Sequence, residues 1–229
     1  MNQEEHKMAD RPLRIAVVLS GCGVYDGTEI HEAVCTLLAI SRAGAEAVCF
    51  APNVPQAHVV NHLTGEEEAE TRNVLAESAR IARGKVADLA GFDAAAVDAL
   101  IFPGGFGAAK NLCDFAFKGP DCAVNPDVEK AVRAMRDAGK PIGALCIAPA
   151  ILAKLFGAEG VEVTIGSDAG TAAALESLGA KHSVTGHGEI VIDNRLKVVT
   201  SPCYMLDATV AQIAEGAENT VRALIGLIR

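Results

Sequence analysis

The sequence predicts an α/β fold: one mostly parallel sheet wrapped by helices, with a β-hairpin inserted late in the chain. Three observations carry that expectation. Short apolar, β-branched runs alternate with amphipathic segments of helical period through most of the chain. The first runs are apolar at successive rather than alternate positions, the pattern of strands covered on both faces. Two of the runs break directly into glycine or into a new helix, at "IFPGGFG" and "IGALCIAPA". Such junctions at the carboxyl ends of strands are where open α/β sheets place their ligand crevice.

In chain order, "LRIAVVLSG" (Leu13–Gly21) reads as the first strand, and the glycine-rich "SGCGVYDG" as the loop that leaves it. Thr28–Gly44 has apolar residues at Ile30, Val34, Leu37 and Leu38, which predicts a helix with Thr28 as its cap and Gly44 just past its end. Ala45–Pro52 is a second strand closed by proline. The pattern weakens between Asn53 and Gly91, where a loop around "NHLTGEEE" precedes a helix near Thr71–Arg83. Val97–Gly105 is a strand ending in glycine. Asn125–Gly139 is an amphipathic helix with Asn125 as cap and Pro126 in its first turn. Lys140–Leu145 (strand) and Ile147–Gly157 (helix) follow, then "VEVTIG", a helix near Thr171–Leu178, two short strands in "GEIVIDN" and "LKVVTS", and a long C-terminal helix. No linker, repeat or low-complexity segment interrupts this order, so residues 12–229 read as a single domain and residues 1–11 as a disordered tail.

The composition narrows the function classes. Half of the 229 residues are apolar and 21% are charged, as in ordinary globular proteins. A net charge of −9 without any Lys/Arg run argues against nucleic acid or an anionic membrane as partner. No stretch reaches the ~18 apolar residues of a membrane span, and the polar N-terminus lacks the apolar core of a secretory signal. Seven cysteines, an odd number without a CxxC pair, predict free thiols and a reducing, cytoplasmic setting.

Several motifs invite chemistry. Gly21-x-Gly23-x-x-x-Gly27 misses the dinucleotide fingerprint by one residue, and no acidic residue ends the second strand, so no nucleotide cofactor is expected. "HVVNH" spaces His58 and His62 like a zinc pair but lacks the glutamate of HExxH, and no metal is expected. "GHGE" (Gly186–Glu189) has the His-x-Glu order of a catalytic triad but sits in a turn before a hairpin strand. Cys146 is different. It stands where a strand turns straight into a helix, the elbow geometry of nucleophile motifs, with small Gly143 and Ala144 before it and Pro149 at a position needing no donor. There the N–H of Ile147 would face an oxyanion, and a second N–H could come from Gly104 or Gly105 of "FPGGFG".

Taken together, "LSGCGVYDGTEIHEAV", "NHLTGE", "PGGFGAAKNL", "CIAPA" and "TSPCYML" resemble the ElbB-type isoprenoid-biosynthesis glyoxalases (enhancing-lycopene-biosynthesis proteins) of the PfpI and class I glutamine amidotransferase-like superfamily. The resemblance runs from about Leu13 to the C-terminus. It implies a flavodoxin-like three-layer α/β/α sandwich, Cys146 as nucleophile, and a glutamate of the first helix against it: Glu32, with Glu29 as the alternative. A neutral Glu32 would support the thiolate, whereas an ionised one would oppose it. Many members keep a histidine beside the cysteine, where this chain has Ile147, which argues against a Cys-His-Glu triad. The implied activity is a cofactor-independent glyoxalase turning glyoxal-like aldehydes into hydroxy acids, glycolate from glyoxal. The alternatives are a redox-sensing or chaperone-like protein and an amidotransferase-like subunit. A homodimer is the default assembly.

Overall fold

The computed structural model describes residues 11–228. The tail expected over residues 1–11 therefore lies outside the described residues except for Arg11, whose guanidinium grips Asp98 with both nitrogens at 2.7 and 2.8 Å.

The apolar runs become parallel strands because both of their faces find helices to bury against. β1 (Arg14–Val18) pairs in parallel with β2 (Glu46–Ala51) on one side and β4 (Ala99–Phe102) on the other. β3 (Val86–Asp88) extends the sheet beyond β2, and β5 (Ile142–Leu145) extends it beyond β4. Successive β1 residues go to opposite faces. Ile15 and Val17 pack with Ala33 and Ile40 of α1 (Ile30–Arg42) and Val221 and Leu224 of α8 (Val210–Ile228). Ala16 and Val18 pack on the other side with Val128, Val132 and Met135 of α5 (Pro126–Asp137) and Ile151 and Phe156 of α6 (Pro149–Phe156). The result is the helix-wrapped sheet that the alternation predicts and the three-layer sandwich that the resemblance implies, with sheet order β3-β2-β1-β4-β5-β9-β8, where β9 is Val198–Ser201 and β8 is Val191–Asp193.

The late hairpin joins this sheet. β9 (Val198–Ser201) runs parallel to β5, and β8 (Val191–Asp193) closes the edge antiparallel to β9. "VEVTIG" contributes only β6 (Glu162–Val163), which pairs with β7 (Lys181–His182) in a separate two-stranded sheet. β3 and β7 carry too few residues to show a period. The remaining helices are α2 (Val74–Ile81), the short α3 (Phe106–Lys110) and α4 (Phe115–Lys118), and α7 (Ala169–Ser177).

The cap of α1 corrects an expectation. Glu29, not Thr28, is the N-cap, its Oε2 accepting from the N–H of Glu32 at 2.7 Å. Thr28 is buried one residue earlier, where its Oγ1 accepts from the N–H of Ser20 at 2.7 Å. A threonine that cannot reach the first helical turn satisfies a loop donor instead. Asn125 does cap α5, accepting from Asp127 and Val128 N–H, with Pro126 at the helix start.

The carboxyl ends of β1, β4 and β5 point to the same edge, and the loops leaving β1 and β4 lock together there. Gly107 N–H donates to Gly27 O at 2.8 Å, and Phe106 N–H to Val24 O at 2.7 Å. A Cβ on Gly107 would stand 2.6 Å from the backbone of Gly27 and from Ser20 O, atoms that cannot swing aside. Gly107→Ala is expected to destabilise the fold by about 1–3 kcal/mol, as overpacking does, measurable as a lower urea midpoint at unchanged m-value.

Candidate active site

Cys146 follows β5 directly and adopts φ +59°, a left-handed conformation that a non-glycine residue holds only when its surroundings enforce it. Those surroundings are visible. The Cys146 N–H continues the β5–β9 ladder to Ser201 O at 2.9 Å, and Ala148 N–H closes the turn onto Leu145 O at 2.9 Å. The elbow leaves Cys146 buried, 7% exposed, with the N–H groups of Gly105 and Ile147 on the side of the sulfur, where they favour its ionised form. Gly105 reaches that position at φ +93°, where a Cβ would strike the backbone of α1's entry loop.

Glu32 approaches from the first turn of α1 and is fully buried. Its Oε2 accepts from Gly104 N–H at 2.7 Å and its Oε1 from Tyr204 N–H at 3.1 Å. Gly104 has to be glycine, since a Cβ would lie 2.7 Å from Glu32 Oε2 and 2.9 Å from Leu145 O. The same N–H is thereby taken up by the carboxyl, which corrects its expected place among the oxyanion donors; Gly105 and Ile147 are the pair that faces the sulfur. Glu29, the alternative partner, turns away to cap the helix.

Burial pushes the Glu32 carboxyl up to about 8, and the charge of Glu29 adds to the rise, against the two N–H groups and the Cys146 contact. Burial likewise pushes the Cys146 thiol well above its usual range, and a charged Glu32 pushes it further, while Gly105 and Ile147 N–H act in the opposite sense. Glu32 and Cys146 therefore resist being ionised together, so a Cys146 thiolate requires a neutral Glu32.

A cavity of about 490 Å³ opens beside Cys146. Val24, Phe106, Phe115, Ile147 and Met205 make it largely apolar, with Asp168, Thr171 and Tyr204 as its polar side chains and no Lys, Arg or His among the described residues that line it. Asp168 caps α7, and the Thr171 N–H it accepts holds its carboxyl below the usual range. A wider groove of about 630 Å³ between Val60 and Arg72 contains neither Cys146 nor Glu32.

The other sequence candidates lie elsewhere. His58 packs edge-on against Phe117, and His62 accepts from Tyr25 N–H at 3.2 Å. His187 and Glu189 lie exposed in a turn closed by Gly186 N–H on Glu189 Oε2. Sequence reasoning missed Tyr204, whose hydroxyl lies 2.8 Å from His31 Nδ1, and Cys203, a buried residue at φ +42° clustered with Cys146 and Cys35. The signal was available: "SPCYM" leaves a strand at the same carboxyl edge as Cys146.

No family model matches the chain. It is 53% identical to the ES1 protein homolog, mitochondrial, of Rattus norvegicus, covering 97% of this chain and 87% of that protein. It is 52% identical to the glutamine amidotransferase-like class 1 domain-containing protein 3, mitochondrial, of Homo sapiens, over 97% of this chain and 86% of that one. The chain belongs to the class 1 glutamine amidotransferase-like family. Among solved structures, an isoprenoid biosynthesis protein with amidotransferase-like domain from Ehrlichia chaffeensis superposes with a TM-score of 0.87 at 36% identity, over 93% of this chain and 99% of that one. A DJ-1 superfamily protein from Agrobacterium tumefaciens shares the fold at a TM-score of 0.55 and 19% identity, over 94% of this chain and 90% of that one. The expected cytoplasmic setting is corrected by the family members, which are named mitochondrial. Free thiols indicate a reducing environment, which is not unique to the cytosol, and transit peptides lack the apolar core by which a secretory signal is recognised.

The raised Glu32 predicts a pH dependence of stability. Between the ordinary value near 4.5 and about 8 the folded protein holds a proton that the unfolded chain has lost. This contribution is therefore fully present below 4.5 and is lost as pH rises through about 8. In Glu32→Gln the fall in Tm between pH 5 and pH 8.5 is expected to shrink by several degrees, measured by calorimetry at both pH values.

Proposed function

We propose that the chain is a cofactor-independent glyoxalase of the ElbB type, acting on glyoxal-like dicarbonyls. The observation that carries this reading is the pairing of an elbow cysteine with a buried carboxyl raised to about 8, an acid–base group poised near neutral pH. Ionised Glu32 takes the Cys146 proton, and the sulfur adds to one aldehyde carbon, C1. The oxygen of C1 becomes an oxyanion facing Gly105 and Ile147 N–H. Neutral Glu32 returns the proton to that oxygen, giving a hemithioacetal. As a carboxylate it then removes the C1 hydrogen and delivers a proton to C2, so that C1 is oxidised and C2 reduced within one molecule. The C1 hydroxyl proton passes to the C2 oxygen, which leaves the thioester of the hydroxy acid. Water cleaves it to glycolate and restores the thiol.

The cavity lining favours this over glutamine hydrolysis. Glutamine carries an α-carboxylate that calls for a cation, and no Lys, Arg or His is among the described residues lining this cavity, where Asp168 could pair only with the α-ammonium group. An uncharged carbonyl compound meets no such conflict. Burial of Cys146 also works against spontaneous thiol oxidation, which proceeds through the exposed thiolate.

Cys146→Ser is expected to lower glyoxal turnover by at least about a thousandfold, followed as glycolate released, with the far-UV spectrum unchanged. Turnover like that of the unaltered protein would sink the proposal. Glutamine assayed in parallel is expected to release no ammonia.

A further inference from the structure

The proposed chemistry leaves one atom of the substrate without a partner. Gly105 and Ile147 N–H hold the oxygen on the carbon that sulfur attacks, and Glu32 moves the protons, but the second carbonyl oxygen gains charge when the C1 hydrogen leaves. Tyr204 lines the cavity with Cys146, and its hydroxyl is 2.8 Å from His31 Nδ1. The direction of that hydrogen bond follows from a third residue. His31 Nδ1 also lies 3.9 Å from Glu29 Oε1, and Glu29 Oε2 accepts the N–H of Glu32. A carboxylate only accepts, so Nδ1 faces two oxygens and is best placed carrying a hydrogen. Tyr204 oxygen then accepts from His31, and its own O–H is free for the cavity. Burial, with the charges of Glu29 and Glu32 behind it, raises the Tyr204 phenol and keeps that hydrogen in place.

We infer that Tyr204 is a further catalytic residue, the donor that binds the second oxygen of a dicarbonyl substrate, and that His31 is the positioning residue that frees its hydrogen. The inference rests on the glyoxalase reading for its substrate. It also explains how a site with no histidine next to the cysteine brings one into its chemistry: His31 acts through the tyrosine, one residue before Glu32 on the same helix.

The test uses four proteins: unaltered chain, Tyr204→Phe, His31→Asn and His31→Leu. Tyr204→Phe keeps the backbone N–H that holds Glu32, so the carboxyl's support is unchanged. Glyoxal kcat is expected to fall at least about tenfold in Tyr204→Phe with KM little changed, as when a donor to developing charge is removed. His31→Leu follows in the same direction, and His31→Asn, whose amide can donate from near the Nδ1 position, restores most of the rate. A second readout needs no turnover. Alkylation of Cys146 by iodoacetamide places a carbonyl oxygen one carbon beyond the attacked atom, whereas methyl iodide carries no oxygen at all. Peptide mass spectrometry gives the ratio of the two rates at Cys146. That ratio is expected to drop several-fold in Tyr204→Phe. An unchanged ratio overturns the role of Tyr204, and equal kcat values in His31→Asn and His31→Leu overturn that of His31. If the unaltered chain leaves glyoxal untouched, the glyoxalase reading fails, while the alkylation ratio still decides on Tyr204.

Discussion

A carboxyl group without solvent, held by the backbone N–H groups of Gly104 and Tyr204, ties together three parts of the chain that are far apart in sequence. Burying a carboxyl is costly unless its oxygens are hydrogen-bonded, so Glu32 specifies where those donors must lie. One belongs to the loop after β4 and the other to the turn after β9, while Glu32 itself sits in the first turn of α1. The position of Cys146 depends on the same arrangement, because its sulfur is faced by the residue that follows Gly104.

Backbone geometry makes this convergence possible. The β5–β9 ladder holds Cys146 in a left-handed conformation, and glycines at 104, 105 and 107 let the β4 loop pass within van der Waals limits of Cys146, Glu32 and the β1 loop. A side chain at any of these glycines would collide with backbone, or at 104 with Cys146 and Glu32, and could be accommodated only if the loops moved apart. Loops that moved apart at Gly104 would lift the burial that raises the Glu32 carboxyl.

Electrostatics and shape then point the same way. The pair Glu32–Cys146 disfavours double ionisation, and the cavity beside it offers apolar walls with an acidic rim at Asp168. On the proposed reading, such a site suits neutral ligands that develop negative charge only after capture, when the N–H groups around the sulfur become useful.

Much of this was legible in the sequence. Alternating apolar runs determined the layered α/β class, because each run needs helices on both faces, and the strand-to-helix junction at Cys146 identified the elbow from local spacing alone. The glycine loop followed from "FPGGFG" at the end of a strand, and the resemblance of "EIHEAV" to a known family supplied Glu32. What only the tertiary structure decided was the assignment of individual donors: Gly104 to the carboxyl and Gly105 to the sulfur, Glu29 rather than Thr28 to the helix end, and Tyr204 to His31. Spacing along the chain records the period of an element and the residue at its end. It does not record which N–H meets which oxygen across a gap of 72 or 172 residues, since that is set by how the strands' ends line up in the sheet.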